Sequence, residues 1–121
     1  GRGQGPGRPN RPGKRYAETI PVRSYFYGLN RFPLYMLSQN LPRLMGYTLR
    51  AVVVNGYSEM GMGGGFFCSS FCSQMQPVGG YAGSYVIQTL GEPLNQYSQN
   101  WFLELRGNFA VESLRLEYVR R

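Results

Sequence analysis

Histidine and aspartate are absent from this sequence, and lysine occurs only once, at Lys14. General acid–base catalysis relies most often on histidine, which titrates near neutral pH, and catalytic carboxylate pairs commonly include aspartate. Metal sites draw on the same side chains. The composition therefore argues against an enzyme and against a metal centre, and we expect the protein to use no cofactor.

Long apolar segments are absent as well. The longest uninterrupted apolar run covers residues 51–54, whereas a helix that spans a bilayer needs roughly 18 such residues. We therefore expect a soluble chain without a membrane span. Its 121 residues are enough for one hydrophobic core but not for two. We expect one domain over residues 18–121, preceded by an extended N-terminal arm over residues 1–17.

Cysteine is scarce, and the two cysteines, Cys68 and Cys72, lie four residues apart. An even cysteine count in a small chain rich in glycine and tyrosine favours one disulfide and an oxidising compartment. The sequence also begins at Gly1 without a methionine, which is compatible with removal of a signal peptide. We expect a secreted or cell-surface protein with a Cys68–Cys72 bridge. Two buried free thiols in a cytosolic protein are the alternative.

Positive charge is concentrated in the N-terminal arm. The whole sequence has a net charge of +7, and residues 1–15, GRGQGPGRPNRPGKR, contain five of its thirteen basic residues and no acidic residue. Residues 16–121 contain eight basic residues and six glutamates, a net charge of only +2. The charge pattern predicts that any strongly acidic partner binds the arm rather than the folded body.

The arm has a regular spacing of three residues. Prolines occupy positions 6, 9 and 12, and cations occupy positions 8, 11 and 14, which matches the three residues per turn of a polyproline II helix. At roughly 3.1 Å per residue, fifteen residues reach on the order of 45 Å, whereas a domain of this size has a radius of gyration of about 13 Å. The arm is therefore long enough to touch a neighbouring subunit. The predicted partner-binding residues are Arg2, Pro6, Arg8, Pro9, Arg11, Pro12, Lys14, Arg15 and Tyr16.

Most of the remaining chain shows the period-two alternation of β-strands. Alternating apolar and polar residues, rich in β-branched and aromatic types, predict strands over residues 18–27, 47–55, 84–90, 101–106 and 109–119. Three consecutive valines in the second of these segments indicate a strand that is buried on both faces. The dipeptide Gly107-Asn108 predicts a turn that joins the last two strands in a hairpin.

One segment carries a helical pattern. Between Pro33 and Pro42 the leucine spacing predicts either a short helix over residues 33–39 or an extended loop. No helical pattern of 10 to 15 residues separates the strands, so a parallel α/β fold is disfavoured. We predict an all-β fold, an antiparallel β-sandwich of jelly-roll-like type with at most this one short helix.

A long insertion separates the valine-rich strand from the next one. Residues 58–83 are crowded with glycine, and loops of this length are usually functional or packed by their own side chains. Their large apolar side chains would be poorly tolerated in open water, so we predict an apolar interface loop. Its contact residues are Met60, Met62, Phe66, Phe67, Phe71 and Met75.

The last two predicted strands also contain three glutamates, and each has an arginine nearby. We interpret these residues as surface ion pairs rather than as a catalytic carboxylate pair. The pairs are Glu104 with Arg106, Glu112 with Arg115, and Glu117 with Arg50.

Two hypotheses for function follow. The first is a non-enzymatic structural subunit of a homopolymeric filament, sheath or shell, in which the arm contacts neighbouring copies and the many tyrosines supply interface surface. The alternative is a polyanion-binding module that uses the arm and an aromatic surface to bind nucleic acid or an acidic glycan. A jelly-roll body with a basic arm resembles capsid proteins at the level of fold.

Overall fold

The computed structural model describes residues 14–120 of the chain. They form six β-strands, one four-residue α-helix (α1, Leu34–Leu37) and two 3-10 helices, Leu41–Leu44 and Ser98–Asn100. The strands are β1 (Arg15–Phe26), β2 (Leu29–Pro33), β3 (Tyr47–Cys68), β4 (Gln76–Val78), β5 (Gly83–Gln88) and β6 (Phe102–Arg120). Because β1 begins at Arg15, the last residues that we assigned to the N-terminal arm lie in the sheet.

Two unusually long strands organise the fold. Strands β3 and β6 have 22 and 19 residues and pair antiparallel from Tyr47 opposite Arg120 to Cys68 opposite Phe102. β1 pairs with the C-terminal part of β6, and β5 pairs with the N-terminal part of β3. β2 pairs with the N-terminal part of β6, and β4 pairs with the C-terminal part of β3. The β3–β6 ribbon therefore belongs to two layers. The first is β1-β6-β3-β5 and the second is β2-β6-β3-β4.

The ribbon bends where these layers meet. On β6 the bend lies at Gly107, whose φ of +130° favours glycine. Opposite it, residues 60–63 of β3 leave the ladder, because Glu59 pairs with Asn108 and the next pair is Gly64 with Arg106. Gly63 fits only without a side chain, since an added Cβ would lie 2.4 Å from the ring of Phe109.

The predicted hairpin at Gly107-Asn108 is wrong. Strand β6 runs through both residues without reversing direction. A glycine with positive φ can bend a strand as well as end it. Here both halves of β6 keep pairing with the continuous strand β3, so the chain bends instead of turning back.

The core lies between the two layers. An added Cβ on Gly65 of the second layer would lie 3.3 Å from Ile87 of the first, so the layers are in direct contact there. Each fully buried aliphatic side chain contributes about 1.5–3 kcal/mol to folding. The predicted antiparallel β-sandwich is confirmed. The inward-facing buried residues include Val52, Val54, Ile87, Leu114 and Leu116 from the first layer, and Phe67, Val78, Leu103 and Leu105 from the second.

Both ends of the ribbon lie away from the bend, and the helical segment covers the core there. α1 follows Pro33, which pairs with Phe102 at one ribbon end, and the first 3-10 helix leads into Tyr47 at the other. Pro42 is the second residue of this 3-10 helix, where a missing N–H costs little. α1 is thus shorter than the predicted helix over residues 33–39. The leucines whose spacing led to that prediction are nevertheless buried. The buried leucines are Leu34, Leu37, Leu41 and Leu44.

The predicted insertion loop is largely strand. β3 continues to Cys68, and β4 forms within the same segment. Glycine has a low strand propensity, so the glycine-rich sequence of this segment did not predict a strand. Glycine is needed at position 65, because an added Cβ there would lie 2.7 Å from the buried side chain of Leu105 and 3.1 Å from the backbone carbonyl oxygen of Glu104.

One glycine should be indispensable for pairing in the first layer. An added Cβ at Gly56 would lie 2.1 Å from the carbonyl oxygen of Ala110 on the adjacent strand. We expect Gly56→Ala to lower the free energy of unfolding by about 3 kcal/mol, because backbone must move to relieve the clash. Gly83→Ala is the control, since its nearest contact would be an ordinary 3.5 Å. Urea unfolding measures both, and equal stability of the two variants would contradict this close approach.

Candidate assembly and binding surfaces

The root of the N-terminal arm lies on an edge of the first layer. Arg15 pairs with Val119, and the backbone N–H of Arg120 donates to the carbonyl of Lys14 at 2.7 Å. Tyr16 is exposed, and its ring centre lies 6.0 Å from that of Tyr118. The structure therefore places three of the predicted partner-binding residues. The others, Arg2, Pro6, Arg8, Pro9, Arg11 and Pro12, lie outside the described residues.

A carboxylate fixes this root to the body. Glu18 of β1 accepts hydrogen bonds from the hydroxyl of Ser38 at 2.6 Å, the amide of Asn40 at 2.9 Å and the hydroxyl of Tyr118 at 3.1 Å. Burial is the main cause that raises the pKa of Tyr118 above its ordinary value, so the phenol remains a donor. No local sequence pattern indicates this cluster, because its members lie up to 100 positions apart.

Cys68 and Cys72 are joined by a disulfide that closes a small loop. Glu92 holds this loop, since its carboxylate accepts from the hydroxyls of Ser69 and Ser70 at 2.5 and 2.7 Å and from the Ser70 backbone N–H at 3.0 Å. The hydroxyl bonds, that of Ser69 first, lower the pKa of Glu92. At the loop tip the Phe71 side chain is 76% exposed. The bridge thus presents an aromatic ring to solvent.

The six residues predicted to form one apolar interface do not form one patch. Met60 and Met62 lie at the bend and are 94% and 71% exposed, whereas Phe71 lies near the far end of β3. Strand alternation sends Phe66 to the outer face of the second layer and Phe67 into the core. Met75 is partly exposed beside β4.

Two of the three glutamates form the expected exposed ion pairs, but with other arginines. Glu112 binds Arg23 and Glu117 binds Arg115, each at 3.3 Å. The register explains the first exchange, because Arg23 lies on β1 and β1 pairs with β6. Arg115 and Glu117 lie two positions apart on β6 itself. Such exposed pairs are worth little to stability.

The interpretation of Glu104 as part of a surface ion pair is wrong, because Glu104 is buried. Its side chain has no exposed surface, and its two oxygens accept from Nε of Arg31 at 2.7 Å and Nε of Arg106 at 2.5 Å. Burial by itself would raise the pKa of this carboxyl, but the hydrogen bonds and charges of the two arginines outweigh it and lower the pKa. Arg106 was the expected partner, whereas Arg31 comes from β2, which the sequence analysis did not predict. Glu104 and Glu112 lie in different layers and do not form a carboxylate pair.

The first layer has an open concavity of about 760 Å³ on its outer face. It forms where irregularities of two neighbouring strands lie side by side. Glu112 is an extra residue of β6 relative to β3, and Arg23 lies in an unpaired part of β1 with a φ of +48°. Its walls include Tyr25 and Tyr57, and a hydrogen bond between these side chains is the main cause that raises the pKa of Tyr57. The sequence pattern gave no sign of these bulges.

Residues 14–120 contain no group of three His, Cys, Asp or Glu side chains that lie close enough together to hold a metal ion. No helix in that range is long and apolar enough to cross a membrane.

Acid should weaken the fold through Glu104. Because its pKa in the folded protein lies below the ordinary 4.5, its stabilisation is present above that pH and is lost as the pH falls through the lower folded value. We expect Glu104→Gln to cost about 2 kcal/mol near pH 7 and to reduce the loss of stability between about pH 5 and pH 3. Urea unfolding at both ends of this range measures the effect. The exposed Glu112→Gln is the control, and an unchanged acid dependence in Glu104→Gln would refute the assignment.

Comparisons with known proteins find a likeness in fold alone. No protein-family model matches the chain, and no curated protein sequence matches it. Two solved structures of the Tobacco streak virus coat protein are similar, one in a C2 crystal form and one of the coat protein dimer. Each superposes with a TM-score of 0.54 at 9% sequence identity, over 88% of this chain and 86% or 85% of the coat protein chain. At this identity the likeness establishes that this chain has the same kind of antiparallel β-fold as viral coat proteins.

Proposed function

We propose that this protein is a structural coat subunit, which assembles with copies of itself into a shell around nucleic acid. The observation that carries the proposal is the fold likeness to a viral coat protein over nearly the full length of both chains. A likeness over 88% of this chain is more than one common motif would give. Fold alone does not determine function, so the surfaces of this chain must supply the remaining support.

Exposed apolar side chains lie at separate ends of the body. Met60 and Met62 project at the bend, Tyr35 and Met36 lie on the helical segment at the opposite end, and Phe71 tips the disulfide loop. Separate contact sites on one subunit support an assembly of many copies, because a single patch would be satisfied in a dimer. If the same contacts repeat without closing into a shell, the assembly is a filament or a sheath.

The arm supports contact with nucleic acid. Five cations within 15 residues, with no acid among them, form a strongly basic segment at the N-terminal end of a nearly neutral body, and the last of them, Arg15, lies in the edge strand β1. Such a segment neutralises phosphates and releases counterions. The second candidate function, a polyanion-binding module for nucleic acid or an acidic glycan, rests on this same concentration of charge. A disulfide persists in oxidising surroundings, so we propose that the assembled protein is found outside the cell.

Assembly with and without nucleic acid tests the proposal. The purified full chain is mixed with single-stranded RNA and studied by sedimentation and negative-stain electron microscopy. We expect regular particles that sediment together with the RNA, because copies are linked by the body and the arm neutralises phosphate. A chain that remains monomeric at every protein and RNA concentration would overturn the coat proposal.

A matched variant separates the charge of the arm from its reach. Replacing Arg2, Arg8 and Arg11 by Gln keeps the length of the arm and removes three of its charges. We expect the RNA content of the particles to fall while the particles still form, because the body contacts are intact. If the parent chain stays monomeric and the triple variant no longer binds RNA, the result would favour the polyanion-binding module instead.

A further inference from the structure

A row of charged and aromatic side chains crosses the outer face of the second layer. Arg31 of β2 lies opposite Glu104 of β6, which in turn lies opposite Phe66 of β3. Arg106 and Phe102 lie two positions either side of Glu104 and therefore on the same face. We call these five residues the arginine platform. They lie far apart in the sequence, and only the strand register brings them together.

The platform fixes the position of both guanidinium groups. The single buried carboxylate of Glu104 binds Nε of one arginine with each of its oxygens. The Arg31 guanidinium also lies 4.7 Å from the ring centre of Phe102, and that of Arg106 lies 5.0 Å from the ring centre of Phe66. Each planar group is thus held by a charge-assisted hydrogen bond and by an aromatic ring.

Most hydrogen-bond donors of the platform remain available. A guanidinium has five N–H donors, and the side-chain hydrogen bonds that Arg31 and Arg106 make to residues 14–120 run through Nε. The side chains of Arg31 and Arg106 are 60% and 53% exposed, whereas Glu104 has no exposed surface. A ligand on this face therefore meets two arginines and not the carboxylate. The exposed pair of Arg115 and Glu117 differs, because its carboxylate is 31% exposed.

We propose that the arginine platform binds the phosphate backbone of single-stranded nucleic acid as a second contact besides the arm. The planar guanidinium matches phosphate with two parallel hydrogen bonds, and its flat face can stack on an unpaired base. This combination favours nucleic acid over an acidic glycan, which has no base to stack. The proposal rests on the proposed coat function, and it makes the second layer the side of the subunit that faces the nucleic acid.

Salt-dependent binding tests the proposal with matched charge changes. The affinity of the full chain for a fluorescent single-stranded oligonucleotide is measured against salt concentration for Arg31→Gln/Arg106→Gln and for Arg23→Gln/Arg115→Gln. Both double variants lose two charges, but the second pair lies on the first layer beside exposed glutamates. We expect the slope of log affinity against log salt to fall by about 1.4 for the platform variant and to change little for the control. Equal slopes in the two variants would overturn the proposal.

Two further variants keep the test valid if the first misfolds. Arg31→Lys/Arg106→Lys retains both charges and a partner for Glu104 but loses the planar groups, and we expect it to bind several-fold more weakly than the parent. Arg31→Gln/Glu104→Gln/Arg106→Gln removes the buried charge together with its partners, and it should match the double platform variant in slope. Unchanged affinity in both variants would overturn the proposal.

Photo-crosslinking of the unmodified full chain gives an independent result. We expect a 5-bromouridine oligonucleotide to crosslink to peptides that contain Phe66 or Phe102, besides the arm. Crosslinks confined to the arm, or tighter binding of a heparin fragment than of the oligonucleotide at the platform, would overturn the proposal. If particles still form, these outcomes contradict only the binding of nucleic acid by the arginine platform and not the coat function. The two proposals can therefore be tested separately.

Discussion

The fold depends on the antiparallel pairing of β3 with β6. These two strands form one continuous ribbon, and every other strand in the described part of the chain pairs with one of them. Because the ribbon bends at Gly107 and at residues 60–63, its two halves face each other and enclose the core. A sandwich built this way needs neither separate sheets nor a long connection between them. It also requires glycines wherever the layers approach most closely.

This construction also determines what each outer face carries. The outer face of the first layer has its bulges, its concavity and its exposed ion pairs, and the arm leaves from its edge strand. On the outer face of the second layer, Glu104 is buried beneath the two arginines that it holds. Met60 and Met62 at the bend and Phe71 near the far end of β3 lie at opposite ends of the body. Different surfaces are thus available for different partners, which suits a subunit that contacts both its copies and nucleic acid.

The sequence predicted the parts of the fold that depend on local pattern. Alternation around Val52 and Leu116 identified strands, and the leucine spacing from Leu34 to Leu44 identified the segment that covers the core. The continuity of β3 and β6 was not predictable, because Gly107 serves equally well in a turn and in a bend. Whether Glu104 is exposed or buried depends on Arg31, 73 positions away, and alternation alone does not reveal that neighbour.

The central claim is that copies of this bent sandwich enclose nucleic acid. Electron cryomicroscopy of particles assembled from the full chain with single-stranded RNA tests it most directly, because it shows the contacts and the orientation of each subunit together. The account predicts closed particles in which the second layer, with Arg31 and Arg106, faces the RNA density. Closed particles in which the first layer contacts the RNA would contradict only the role of the arginine platform, whereas assemblies that enclose no RNA density would contradict the central claim.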